Sequence, residues 1–156
     1  MDQNTLEGVA KYTLRIAHTE EGWILPLRDA VKDVPYETAK WKPASEVASI
    51  WEIVAHAIPY TESRLRDFTG ESGKAEQDWP KVEGGTAEEW KALQQRVVEV
   101  TTRLQSTLEG ADEDALFGKA PGKESPRIFR LMDIAIHDAY HAGQIVKLTQ
   151  LHSATA

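Results

Sequence analysis

The chain has 156 residues and no cysteine. That absence excludes disulfides, thiolate metal ligands and a cysteine nucleophile. No apolar run approaches the roughly 18 residues a membrane helix needs, and no charged-then-apolar leader opens the chain. Neither a membrane span nor a signal peptide is expected, and a cytoplasmic location is. Positive charge is scarce. The net charge is −7 and no Lys/Arg run offsets it, so the surface repels phosphate backbones and no nucleic-acid partner is expected. No strand-like alternation of useful length occurs either.

What is present is ordinary globular composition. Hydrophobic residues at 41% and charged residues at 28% argue against disorder. The length suits one domain over residues 1–156 with one core. The five tryptophans are bulky apolar anchors, some of which must pack inside.

Four helical stretches are predicted. The first runs from about Thr5 to Asp33, with Leu6, Val9, Thr13, Ile16 and Ala17 at helical spacing. Gly22 and Pro26 interrupt it, which predicts a kinked helix or two joined ones. Pro35 to Pro43 reads as a connecting loop. The second helix starts near Ser45 or Ser49, both N-cap residues, and carries Val47, Ile50, Val54, Ile58 and Leu65 on one stripe, with Pro59 bending it. A polar loop with Trp79-Pro80 follows, to Gly85. The third helix opens on the capping box Thr86-Ala87-Glu88-Glu89 and ends at Gly110. The fourth opens at Ser125-Pro126 and runs to about Leu151. Four amphipathic segments without strands imply an all-α helical bundle, because each apolar stripe needs a partner.

His137 and His141 stand four residues apart on the fourth helix, over one face, in line with Ile134, Ile145 and Leu148. Both rings therefore point inward. Such a pair suits a metal ion, and equally suits two core histidines bonded to neighbours. A metal site in a bundle needs ligands from facing helices, which makes His56 the third candidate. Periodicity does not choose it, since His56 falls nearly opposite the stripe of Val47, Val54 and Ile58. His18 and His152 are the competitors, and both read as surface histidines.

The stretches from Ser49 to His56 (SIWEIVAH) and from His137 to Ile145 (HDAYHAGQI) resemble the two metal motifs of the DinB/YfiT superfamily. Trp41-Lys42-Pro43 is also in that family's style, and the order of elements is similar over nearly the whole chain. The resemblance implies an antiparallel four-helix bundle with a kinked first helix and a long crossover loop between helices 2 and 3, from about Gly70 to Gly85. It implies one divalent metal ion (zinc, nickel, iron or manganese) on His56, His137 and His141. It also implies either transfer of a low-molecular-weight thiol to a small electrophile or metal-dependent hydrolysis. A homodimer is within the family's habits.

Three neutral imidazoles leave the ion's charge uncompensated and coordination positions open, as in catalytic rather than structural sites. An open position lowers the pKa of bound water, or stabilises a thiolate. The hydrolytic reading uses metal-bound hydroxide, and a third reading is a non-catalytic, stress-associated bundle that metal merely stiffens. Glu52 and Asp133 precede His56 and His137 by one turn, and are candidates for an imidazole acceptor or a base; plain surface charge is the alternative. Gln144 and Tyr60 are candidates to touch a bound small molecule. Asp138 falls near the apolar stripe, where an unpaired carboxylate would be costly.

Overall fold

The computed structural model describes residues 5–20, 22–71, 79–80, 82 and 84–155. Among these residues it is all-helical, with a single isolated bridge between Lys119 and Pro126 and no strand. The helices are α1 (Leu6–His18), α2 (Leu27–Lys32), α3 (Tyr36–Lys40), α4 (Ile50–Thr69), α5 (Ala87–Glu109), α6 (Glu113–Phe117) and α7 (Arg127–Thr155). The four long ones pack on one another, α4 against α7 and α5, and α1 against the same two.

Of the two forms that Gly22 and Pro26 allow, the first stretch takes the second, two helices. Its chain leaves α1 at Thr19, whose N–H reaches back to Arg15, and restarts at Pro26, whose extended backbone precedes α2. The buried face of α1 also differs from the predicted stripe. Leu6 and Val9 are exposed, while Ala10, Lys11, Leu14, Ala17 and His18 are buried. Lys11 is admitted because its ammonium donates to the carbonyls of Glu109 and Ala111, at 3.4 and 2.7 Å, where α5 ends. The segment expected as a loop from Pro35 to Pro43 contains the five-residue α3, again begun by a proline. The short α6 was likewise not anticipated. It is capped by Asp112, which accepts from the Ala115 N–H at 2.8 Å.

Of the two possible caps for α4, Ser49 is the one used. Its hydroxyl accepts from Glu52 N–H at 3.2 Å and the Glu52 carboxylate accepts from Ser49 N–H at 2.8 Å, a reciprocal box. Val47 precedes the helix and is 40% exposed, so it belongs to no stripe. The helix continues through Pro59 and stops at Gly70, which takes the left-handed conformation (φ 69°) that suits a residue without Cβ. The predicted box of Thr86 and Glu89 opens α5.

Two apolar clusters form the interior. One gathers Leu27, Ile50, Trp51, Val54, Trp90, Ile145 and Leu148; the other gathers Leu14, Leu65, Leu104, Leu131 and Ile134. Trp51 and Trp90 are the tryptophans that pack inside, rings 5.5 Å apart, and the Trp90 indole N–H donates to Val34 O at 2.7 Å. Along α4, α5 and α7 the buried polar residues between the clusters are Thr61, Thr101, and Asp138 and His141, with His137 half-buried beside them and His56 at the edge of the first cluster, next to Val54 and Ile58. A polar layer thus crosses the bundle, and the candidate site lies in it. No helix among the described residues is long and apolar enough to cross a membrane.

Candidate metal centre

One turn of α7 separates His137 from His141, and both lean toward α4, where His56 faces them. His137 Nε2 lies 3.2 Å from His56 Nε2 and 3.2 Å from His141 Nε2. One ligand atom from each ring lies within 4.8 Å of the other two. His56 and His141 are buried, and the His137 side chain is 29% exposed, so the site opens to solvent on the His137 side. His56 is buried although periodicity set it opposite its helix's apolar stripe. The reason is that α4 is flanked by α3, α5 and α7 and buries residues nearly all round.

The far nitrogens decide the tautomers. His137 Nδ1 donates to Asp138 Oδ1 at 2.8 Å, and His141 Nδ1 donates to Gln144 Oε1 at 2.7 Å. Each neutral ring carries one hydrogen, so both Nε2 atoms present lone pairs to each other. Converging lone pairs repel unless a cation sits between them. A tetrahedral ion with metal–nitrogen bonds of about 2.0–2.1 Å spaces its ligand atoms by roughly 3.3 Å, close to the separations observed. The donor set fits a divalent ion. Burial pushes the His141 ring's pKa down, the Gln144 hydrogen bond raises it, and the neighbouring His137 and His56 lower it again. The net shift is downward, which keeps the ring neutral and able to ligate.

Asp138 is the carboxylate that holds this arrangement, and sequence reasoning assigned it no role. It is fully buried. Its Oδ2 accepts from His18 Nε2 at 2.9 Å and from the Thr61 hydroxyl at 2.7 Å, while Oδ1 serves His137. Burial alone would raise its pKa. The hydrogen bonds from His137, His18 and Thr61, with the charge on His18, hold it down at about 2. His18 is not the solvated histidine expected from the sequence. It is 2% exposed, and its Nδ1 donates to Leu14 O at 2.9 Å. Both its nitrogens face acceptors, Leu14 O on its own helix and Asp138 Oδ2 on α7. The signal was legible: an acid on an apolar stripe beside a candidate ligand needs a partner.

Glu52 and Asp133 make no hydrogen bond to the three imidazoles among the described residues. Glu52 closes the α4 box and is paired with Lys42 at 2.8 Å. Desolvation raises its pKa, but the bonds from Lys42 and Ser49 win and lower it. Asp133 is exposed on α7. Gln144 is occupied by its neighbours, with its Nε2 donating to the Tyr140 hydroxyl at 3.1 Å. Tyr60 does line the site, its ring 5.1 Å from His56 and 5.5 Å from His137. So does Trp79, which lies flat on His56 at 4.2 Å and 2°. It sits in a loop that carries no periodic signal. His152 is half-buried rather than exposed, bonded to Thr38 at 3.2 Å and edge-on to Trp41.

The DinB superfamily profile matches residues 26–145. That span contains the three converging histidines and Asp138, and it excludes α1 with His18. Neither the curated proteins nor the solved structures give a match.

Proposed function

Because the chain belongs to the DinB superfamily, and because three imidazoles converge in it on one point, we propose that it is a metal-dependent enzyme that transfers a low-molecular-weight thiol to a small electrophile. The observation that carries this reading is the set of three imidazole nitrogens, one from each ring, within 4.8 Å of one another, with no fourth protein ligand among the described residues. His56, His137 and His141 would hold one divalent ion, zinc, nickel, iron or manganese. When bound, that ion supplies a Lewis-acid centre that lowers the pKa of a thiol or water reaching it.

The chain's own residues do the rest. Asp138 keeps the ring hydrogen of His137 on Nδ1, and Gln144 does the same for His141, so both present Nε2. Tyr60 and Trp79 wall the site with apolar ring surface and limit water on the α4 side. The half-buried His137 marks the side by which a small molecule enters. Apart from Asp138, already bonded three times, no carboxylate contacts the imidazoles among the described residues. The reading includes a single antiparallel four-helix domain, with a crossover at about Gly70 to Gly85 that lies for the most part outside the described residues, working in the cytoplasm on small molecules.

The test begins with elemental analysis of untagged protein beside His56→Ala and His141→Ala. One equivalent of metal is expected in the parent, with strong loss in both variants. The loaded parent is then assayed with thiol–electrophile pairs and with ester and amide substrates. Turnover that requires both thiol and metal supports the proposal. Turnover without thiol moves the assignment to hydrolysis, and a loaded, folded protein inert in every assay leaves a binding protein.

A further inference from the structure

Gly143 sits inside α7 and has no local reason to be glycine. Its backbone is helical, without the positive φ that Gly70 or Gly122 supplies. A Cβ added there would meet nothing within 4 Å, so no neighbour demands the missing side chain. Glycine inside a helix costs stability relative to alanine. The open space beside it belongs to a groove of about 700 Å³ between α7 and the segment that leads into α4. Small-molecule sites span about 300–1,000 Å³.

The lining defines the ligand. The walls are aliphatic, with Pro43, Val47 and Ile53 on one side and Leu148 and Leu151 on the other. Val47 and Leu151 are 40% and 42% exposed, so the chain does not fill the groove itself. Tyr140 brings the one aromatic ring of the lining, so an alkyl chain fits where a flat ring would find little to stack on. Two donors flank Gly143. Tyr140 stands three residues before it and Lys147 four after, on the same side of the helix. The Lys147 ammonium is in no ion pair among the described residues, and its one bond is to Gln150 Oε1 at 3.2 Å. The Tyr140 hydroxyl accepts from Gln144 Nε2 at 3.1 Å, and its own hydrogen meets no acceptor among the described residues. The neighbouring acids are engaged elsewhere, Glu46 with the Ser45 hydroxyl at 2.8 Å and Glu52 with Lys42. We propose that this groove binds an aliphatic carboxylate, its head over Gly143 between Tyr140 and Lys147 and its tail between Val47 and Leu151. An ammonium and a hydroxyl over one notch give such a head two donors, one of them charged.

This site is separate from the metal centre and coupled to it. Gln144 Oε1 accepts from His141 Nδ1 at 2.7 Å, while the nitrogen of that ring that faces His137 is Nε2. Gln144 therefore stands between the groove and the metal ligand. A carboxylate that accepts the Tyr140 hydrogen makes that oxygen a better acceptor for the Gln144 amide. The amide is then held more firmly, and with it the tautomer of His141 that presents Nε2. Occupation of the groove tightens metal binding, and by reciprocity metal tightens the ligand.

The test is isothermal titration calorimetry of the metal-free full chain with decanoate, decanol and decylamine. Decanoate is expected to bind about tenfold tighter than either of the others. Gly143→Leu fills the groove with a better helix former, so it is expected to stay folded by circular dichroism and to lose decanoate binding by about tenfold or more. Lys147→Gln is expected to bring decanoate down to the level of decanol. Chelator competition with zinc is expected to show several-fold tighter zinc in the parent at saturating decanoate, and no such change in Gly143→Leu. Absent decanoate binding overturns the proposal, as does binding that Gly143→Leu leaves intact. Equal binding of the three probes overturns the carboxylate head. A groove closed by a second copy would show as a dimer in sedimentation equilibrium that excludes decanoate, and this also overturns the proposal. Zinc affinity unmoved by bound decanoate overturns the coupling. Decanoate binding is read without metal, so its result stands apart from the reaction proposed above.

Discussion

Asp138 makes the strongest single-residue case. Its two oxygens join a histidine of α1, a threonine of α4 and a histidine of α7. Replacing it with Asn takes a charged acceptor from His18, Thr61 and His137 in a fully buried position, a loss of about 3 kcal/mol. It also loosens the hold on His137, which should weaken metal binding by about 10- to 100-fold. Urea denaturation and chelator competition on Asp138→Asn measure the two effects separately. The pH dependence has a defined sign. The carboxyl is held at about 2 against an ordinary 3.8, so its contribution is complete above pH 4 and is lost as pH falls toward 2. The stability advantage of the parent over Asp138→Asn should therefore shrink by about 2 kcal/mol across that window. Denaturation midpoints at pH 5, 3 and 2 check it. His137 and His141 were readable from their spacing. His18 was not, because it closes the regular part of the first segment beside the polar run Thr19-Glu20-Glu21, and the stripe of Leu6 and Val9, which face solvent, gave no sign of the buried face. Lys11 and His18, polar by type, lie on the face that is buried.

Among the elements, the caps were the most legible feature and the short helices the least. Thr86 to Glu89 opens α5 as its sequence predicts, because a capping box is a local signal complete in four residues. Ser49 to Glu52 has the same form but competed with Ser45. Five-residue α3 and α6 span little more than a turn, too short for any period to show. The face of α4 that bears His56 was illegible for a different reason. A helix with neighbours on three sides has no single apolar stripe, so periodicity stops ranking its positions. Ser49 is buried and caps the helix that carries His56. Ser49→Ala should cost about 1–2 kcal/mol, and Thr86→Ala, at an exposed cap, about 1 kcal/mol. Thermal unfolding of both variants tests the order. Equal losses would mean that burial of the first cap adds nothing.

Across the whole molecule, the fold class followed from four amphipathic stretches and no strands. The pairing of helices did not, since stripes do not name their partners. The division of the interior into two apolar clusters with a polar layer between them was also beyond the sequence, because it needs the heights of four helices aligned. That layer makes stability depend on what fills it. A divalent ion present at about a thousand times its dissociation constant should stabilise the protein by about 4 kcal/mol. The gain should vanish in His141→Ala. Calorimetry with and without chelator reads both. A deep core substitution such as Leu104→Ala, by contrast, should cost about 2–5 kcal/mol whether or not metal is present.

The indole of Trp79 lies parallel to the His56 ring at 4.2 Å, and this stacking has an optical consequence. Fluorescence from a half-exposed indole sits to the red of that from the buried Trp51 and Trp90, and replacing the fully exposed Trp23 with Phe removes the main overlap. A zinc ion on His56 would perturb the Trp79 emission slightly, while open-shell nickel, iron or manganese would quench it. The protein thus carries its own lamp beside the ligand cage. The brightness of that lamp during a titration would report both whether an ion has entered and what electronic kind of ion it is.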